Sequence, residues 1–96
     1  MPKSKPYLEA EQKIQEALQS RATELDLSDM KLTELPESIG QLKQLTSLVL
    51  SDNELTTLPP SLGQLTQLTE LNLSNNKLTA LPEWLGQLTQ LQKLSL

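Results

Sequence analysis

A repeat of 23 residues constrains this sequence more than any other feature. Shifting the chain by that distance superimposes leucines, prolines and glycines on their equivalents: Leu25, Leu48, Leu71 and Leu94; Pro36, Pro59 and Pro82; Gly40, Gly63 and Gly86. Residues 46–68, TSLVLSDNELTTLPPSLGQLTQL, are a complete copy. A fixed period of about 20–50 residues is typical of solenoids, in which successive repeats form stacked coils. We therefore expect a solenoid with a continuous leucine core.

Each repeat contains the signals of a short strand followed by a bend and a turn. The alternation of leucine with polar residues, as in Leu25-Asp26-Leu27, predicts a strand whose leucines point inward. Strands are expected at residues 24–27, 47–50, 70–73 and 93–96. The proline of each LTxLP segment is expected to stop extended pairing and open a short helical turn. The glycine that follows is expected to permit either a left-handed or a close-packed turn.

The N-terminal segment has helical periodicity, which predicts a helix from Pro6 to about Ser20. The apolar residues expected on its buried face are Tyr7, Ala10, Ile14, Ala17 and Leu18, and Ser4 is a suitable N-cap. We expect this helix to cap the leucines of the first coil; the alternative is an amphipathic helix for a membrane or a partner. The predicted organisation is a capping helix in residues 1–22 and three repeats plus the strand of a fourth in residues 23–96, forming one structural domain.

Composition and charge argue against several classes of function. The net charge of −4 and the pI near 4.7 argue against binding nucleic acid, which requires a basic surface. The chain has no cysteine, so it contains neither disulfides nor thiol-based zinc sites. Its start lacks the apolar segment of a signal peptide, and no apolar run reaches the length of a membrane span. We expect a cytoplasmic protein with no cofactor and no membrane contact.

The unit LPxxLGQLTQLxxLxLSxNxLTxLP resembles the repeat of bacterial and Ras-associated intracellular leucine-rich repeat proteins. The stretch AEQKIQEALQSRATELDLSDMKLTELPESIGQL is similar to the N-terminus of bacterial leucine-rich repeat proteins, some of which continue into the GTPase of the Roco family. The resemblance implies an α/β fold, a right-handed solenoid whose parallel concave sheet binds protein. It also implies that Asn53 and Asn76 turn inward and bond the bend, whereas Met30, at the same position, does not. The sequence has no phosphate-binding loop motif, so no GTPase activity is implied.

The candidate partner-binding site is the polar surface of the predicted sheet. Coils in register lie about 4.8 Å apart, so equivalent residues form rows along this face and its rim. These residues are Glu24, Asp26, Asp29, Ser47, Val49, Asp52, Glu70, Asn72 and Asn75. Because acidic groups dominate, we expect a basic segment of a partner protein; the alternative is a solvated face kept soluble by its charges. The rim lacks an ordered calcium loop, and no histidine or pocket supports acid–base catalysis, so we predict neither a metal site nor an enzyme.

Two further features are candidate contact sites. Trp84 stands where the earlier repeats have Ser38 and Ser61, and is either packed beside Pro82 and Leu85 or an anchor for a partner. The last strand has an open edge, formed by Gln92, Lys93, Leu94, Ser95 and Leu96. Native proteins usually cover such edges. We therefore expect a homodimer through this edge, and the alternative is that the chain continues into further repeats.

Overall fold

A computed structural model describes residues 3–96 of the chain. Within these residues it contains one α-helix, four strands in a single parallel sheet of order β1-β2-β3-β4, and three 3₁₀-helices between the strands. Their bounds are α1 Lys5–Ser20, β1 Glu24–Asp26, β2 Ser47–Val49, β3 Glu70–Asn72 and β4 Lys93–Ser95, with 3₁₀-helices at Glu37–Gln41, Pro60–Gln64 and Glu83–Gln87. The predicted fold, an N-terminal helix followed by a solenoid with a parallel sheet, is confirmed. Residues 1 and 2 of the predicted capping segment lie outside the described residues.

Helix α1 begins and ends at local sequence signals. The Ser4 hydroxyl accepts a hydrogen bond from the Tyr7 backbone N–H at 3.4 Å, as expected of an N-cap. Pro6 lies in the first turn, where its missing N–H costs nothing. The helix ends before Arg21, which is left-handed with φ 55°. Its buried residues join the leucine core and are Ala10, Ile14 and Ala17.

The predicted burial of Leu18 is wrong, since 38% of this residue is exposed. Leu18 lies in the last turn of α1, over an open groove that it shares with Gln41 and Lys43 of the first coil. These neighbours are polar and exposed, so they leave part of the leucine in contact with water. The apolar face of α1 therefore packs on the core over about two turns, from Ala10 to Ala17, but not at its end.

The four strands are in register, with Glu24 opposite Ser47, Ser47 opposite Glu70, and Glu70 opposite Lys93. Each strand is one residue shorter than predicted. In the first three coils the leucine that follows the strand, such as Leu27, still donates its N–H to the neighbouring coil, but its side chain is buried as the chain turns into the bend. Inward leucines stack coil on coil, and burying each one contributes about 1.5–3 kcal/mol.

The bends after the strands are made by left-handed polar residues and not by glycine. Asp29, Asp52 and Asn75 have φ of 54°, 58° and 58°. No glycine has a positive φ, so the left-handed alternative for these residues is wrong. The close-packed alternative describes Gly40, where an added Cβ would lie 2.8 Å from the Cβ of Ser61 in the next coil. Glycine is required there because the next coil approaches the backbone directly.

Each inward asparagine bonds the backbone of its own bend and that of the preceding coil. The Asn53 side-chain oxygen accepts hydrogen bonds from the N–H groups of Met30 and Leu32, both at 3.0 Å. Its amide donates to the carbonyls of Leu27 and Leu50 at 2.9 and 3.0 Å. Asn76 repeats the arrangement one coil later, with Leu55 as its backbone donor at 3.0 Å. The bend at Met30, which lacks an asparagine of its own, is therefore completed by the second coil.

Candidate functional site

The concave face carries two parallel rows of side chains, because the strands are short and in register. The first row is Glu24, Ser47, Glu70 and Lys93, and the second is Asp26, Val49, Asn72 and Ser95. Neighbours within a row are about 4.8 Å apart, the spacing between strands. The structure thus brings together the residues predicted for this face, in the predicted order, on a surface without a deep cleft.

Two of the predicted contact residues use their side-chain oxygens to hold the ends of their own strands. Asp26 Oδ1 accepts from the Ser28 N–H at 2.9 Å, and Asn72 Oδ1 accepts from the Ser74 N–H at 3.0 Å and its hydroxyl at 2.7 Å. The hydroxyl of Ser28, together with its backbone N–H, lowers the pKa of Asp26. Part of the hydrogen-bonding capacity of Asp26 and Asn72 therefore serves the turn and is not available to a partner.

The rim row forms bends instead of a ligand cluster. Asp29, Asp52 and Asn75 are the left-handed residues of three successive coils, and Asn75 Nδ2 donates to Asp52 Oδ1 at 2.8 Å. Among residues 3–96, no group of three or more acidic, cysteine or histidine side chains is arranged to hold a metal ion. Sequence reasoning missed the role of these residues, although aspartate and asparagine are the non-glycine residues that most often adopt this conformation.

The carboxylates of Glu24 and Glu70 are the groups best placed to contact a partner. Both residues are exposed, and they stand two coils apart, which corresponds to about 9.6 Å. The strand between them carries Ser47, in the same row, and the half-buried Val49, in the second row, and both line a shallow depression of about 180 Å³. The ion pairs of the described residues lie elsewhere, between Lys3 and Glu34 and between Lys77 and Glu54.

Trp84 is half-buried and packs against the leucine core. It lies over Gly63 of the preceding coil, where an added Cβ would meet the Trp84 Cβ at 3.2 Å and its ring at 3.3 Å. Sequence reasoning placed its packing beside Pro82 and Leu85 and missed this contact across the coils. The role of Trp84 as an anchor for a partner remains a prediction, with part of the ring already engaged.

The open edge of β4 is the most apolar exposed feature. Leu94 and Leu96 are 40% and 63% exposed, and Leu81 of the coil below is exposed as well. Leu96 and Leu81 line a groove of about 320 Å³, half of whose lining residues are leucines, including Leu73 and Leu78. The free backbone groups of this edge can be identified from the hydrogen bonds between β3 and β4. The backbone groups of Lys93 and Ser95, on either side of Leu94, form hydrogen bonds to the neighbouring coil, so the backbone N–H and C=O of Leu94 point away from it.

No helix within residues 3–96 combines the length and the apolar composition that crossing a membrane requires. Helix α1 is the one α-helix of this described region, and its exposed residues are mostly polar or charged, with Leu8 and Leu18 as the exposed leucines.

Comparisons with known proteins agree with this geometry. A family model described as a leucine-rich repeat region matches residues 12–96. Among solved structures, a leucine-rich repeat protein of Leptospira interrogans is 52% identical, with a TM-score of 0.77. The match covers 85% of this chain and 21% of that chain, so this chain spans about a fifth of the length of that protein. A comparison with curated proteins finds no match. The chain belongs to the leucine-rich repeat proteins.

Proposed function

We propose that this chain is a non-enzymatic protein-interaction module whose concave face binds a basic segment of a partner protein. Membership of the leucine-rich repeat proteins supports a role in protein binding. The observation that carries the proposal is the strand register, which lines up Glu24, Ser47 and Glu70 on one solvent-facing surface. Carboxylates arranged on a surface attract cationic partners and orient them during encounter.

The spacing of the row defines the partner more closely. Glu24 and Glu70 lie on strands about 9.6 Å apart, and the strand between them places Ser47 in their row and Val49 in the neighbouring row. A segment that has one cationic residue on each side of a small apolar residue matches this pattern. Lys93, at the end of the same row, repels such a segment and directs it toward the first three coils.

Charge reversal on the concave face tests this proposal. A Glu24→Lys, Glu70→Lys variant is compared with a Glu9→Lys, Glu16→Lys variant, which changes the net charge equally at exposed positions of α1. Proteins captured from a cell extract by each immobilised variant are quantified, and the partner is then purified and titrated calorimetrically. The face variant should bind at least about tenfold more weakly, while the helix variant keeps its affinity. Equal losses in both variants, or no loss in either, contradict the proposal.

A second candidate function is self-association through β4, favoured by its open edge. Lys93 donates its N–H to the Thr69 carbonyl at 3.0 Å, and the Ser95 carbonyl accepts from the Leu73 N–H at 2.8 Å. Because backbone groups alternate along a strand, the N–H and C=O of Leu94 point away from β3. A second copy that pairs with this edge would satisfy them in a two-fold contact, the commonest symmetry of soluble oligomers.

Light scattering behind size exclusion, over a wide concentration range, distinguishes the two candidates. A homodimer has twice the single-chain mass of 10.7 kDa, and Leu96→Lys should return it to that mass. This substitution is at an exposed position, so it leaves the fold intact. A wild-type chain of single mass contradicts the dimer and leaves the concave face as the proposed site. The cytoplasmic location also remains a prediction, for cell fractionation to test.

A further inference from the structure

A groove of about 530 Å³ lies where the first turns of α1 meet the segments that follow the bends of the first two coils. It is remote from the two rows of the concave face and shares no residue with them. Its walls combine the Tyr7 ring with Leu58 and Pro59, and its acidic residues are Glu11, Glu34 and Glu37. The sequence patterns described above assign no role to this combination.

A cationic group of the chain itself already occupies part of the groove. The Lys3 ammonium lies 2.9 Å from Glu34 Oε1 and 4.8 Å from the centre of the Tyr7 ring. Proteins recognise ammonium and guanidinium groups by this combination of an aromatic face and a carboxylate. The hydrogen bond that Lys3 donates to the Glu34 carboxylate raises the pKa of Lys3, so the side chain remains a cation. The aromatic ring and the seated cation distinguish the groove from a simple cluster of carboxylates.

Lys3 is held weakly enough to be exchanged for another cation. The side chains of Lys3 and Glu34 are 51% and 53% exposed. Ion pairs between exposed, flexible side chains contribute little to stability. Lys3 also precedes the N-cap Ser4, so no helical hydrogen bond fixes its backbone. Replacing it by a cation from another molecule would leave helix α1 and the core unchanged.

The groove offers more acceptors than a lysine ammonium uses. Glu11 and Glu37 take no part in the ion pairs formed among residues 3–96. Ser38 also lines the groove, but its hydroxyl oxygen is shielded from solvent, so the accessible acceptors are the carboxylates. A guanidinium carries five N–H donors in a plane and stacks on aromatic rings, so it matches the groove better than an ammonium does.

We propose that this groove is a second binding site, which takes an arginine side chain from an extended segment of a partner protein, with Lys3 as its internal competitor. The guanidinium stacks on Tyr7 and pairs with Glu34, while Glu11 and Glu37 attract the rest of the basic segment. The site is independent of the concave face, so the two proposals succeed or fail separately.

The chain carries its own reporters for the test. Tyr7 is its only tyrosine and lies in the groove, whereas Trp84, its only tryptophan, belongs to the third repeat. The whole chain is titrated with N-acetyl-arginine methylamide while NMR follows the ring protons of both residues. The matched probe, N-acetyl-citrulline methylamide, has the same shape without the charge. A saturable shift of Tyr7 with the arginine probe alone, and a constant Trp84, support the proposal. No saturable shift, or an equal shift with citrulline, overturns it.

Two lysine variants test the competition. Lys3→Ala should bind the arginine probe about twofold or more tightly, because removing an internal occupant raises the fraction of open sites. Lys13→Ala makes the same change in net charge at another exposed position of α1 and should leave the affinity unchanged. No gain in Lys3→Ala, or an equal gain in Lys13→Ala, overturns the proposal.

A third comparison tests the carboxylate directly. In the Lys3→Ala background, Glu34→Gln should weaken the arginine probe about fivefold or more, since it removes a charge-assisted bond. Glu16→Gln, at an exposed position of α1, is its control and should have no effect. Circular dichroism establishes that each variant keeps its fold. A Glu34→Gln variant that is folded and binds normally overturns the assignment.

Discussion

The two ends of this solenoid are covered to very different degrees. At the N-terminal end, the buried face of α1 lies against the first coil, and Leu27 and Ile39 are fully buried. At the C-terminal end, Leu94 and Leu96 are 40% and 63% exposed, although they occupy the same positions of the repeat as Leu25 and Leu27. The difference shows that a repeat does not bury its own leucines. The neighbouring element does so, and the stability of a coil depends on what lies next to it.

The largest expected effect comes from the asparagine that links two coils. Asn53→Ala leaves the N–H groups of Met30 and Leu32 and the Leu27 carbonyl without their partner. At about 1–3 kcal/mol for each buried unsatisfied group, the free energy of unfolding should fall by about 3–5 kcal/mol. Asn76→Ala should cost less, because Asn76 is half-buried and water can replace part of its bonds. Urea denaturation of both variants measures the difference. Equal losses would show that the open end does not weaken this link.

A smaller effect is expected where α1 meets the core. Ile14 is fully buried, so Ile14→Ala should lower the free energy of unfolding by about 2–4 kcal/mol. Leu96→Ala, at the open end, should change it by less than about 0.5 kcal/mol. The same denaturation experiment compares them. If the two losses are equal, α1 does not support the core and its predicted capping role is wrong.

The glycines offer a third comparison, in which the same substitution meets a neighbour at one end and none at the other. Gly40→Ala places a Cβ 2.8 Å from the Ser61 Cβ and 2.9 Å from its carbonyl oxygen. Crowding of this kind costs about 1–3 kcal/mol. An added Cβ at Gly86 meets nothing within 4 Å, so Gly86→Ala should be neutral or slightly stabilising. Thermal unfolding of the two variants provides the measurement. A neutral Gly40→Ala would show that adjacent coils can shift apart.

The smallest effect concerns the pH dependence of the first coil. The pKa of Asp26 is lowered from its ordinary 3.8 by the bonds from Ser28. Its stabilising contribution is therefore complete above about pH 4 and is lost as the pH falls through the lowered pKa of the folded state. Asp26→Asn should remove this dependence and keep the bond, as Asn72 keeps the equivalent bond to Ser74. Denaturation at pH 3 and pH 7 tests this. An unchanged acid dependence in Asp26→Asn would assign it to other carboxylates.

The 23-residue repeat predicts most of the fold. Leucine spacing predicted the strands, their register and the rows of the concave face, because identical coils can stack in only one alignment. Proline predicted the start of the 3₁₀-helices, as at Pro59 and Pro60. Helix α1 was predicted from its N-cap and its apolar face; it begins one residue earlier than predicted, at Lys5, Tyr7 is only half-buried and Leu18 is exposed. These successes share a cause, since each rests on a local signal repeated along the chain.

The missed features depend on contacts between coils. Trp84 covers Gly63, and Asn53 completes the bend of the coil before it. No spacing rule reveals which residue of the neighbouring coil a side chain will contact. The candidate site was predicted only in part for a similar reason. The residues of the face were predicted, but not the hydrogen bonds that Asp26 and Asn72 accept from the turns that follow them. The groove around Tyr7 joins residues from three separate segments, so no linear pattern announces it.

The asparagine link also imposes an order on the folding of the nascent chain. Asn53 lies 23 and 21 residues after the two amides it accepts from. A ribosome must therefore synthesise the second bend before the first can acquire its hydrogen bonds. The newest bend of the growing chain therefore lacks these hydrogen bonds until the bend that follows it has been synthesised.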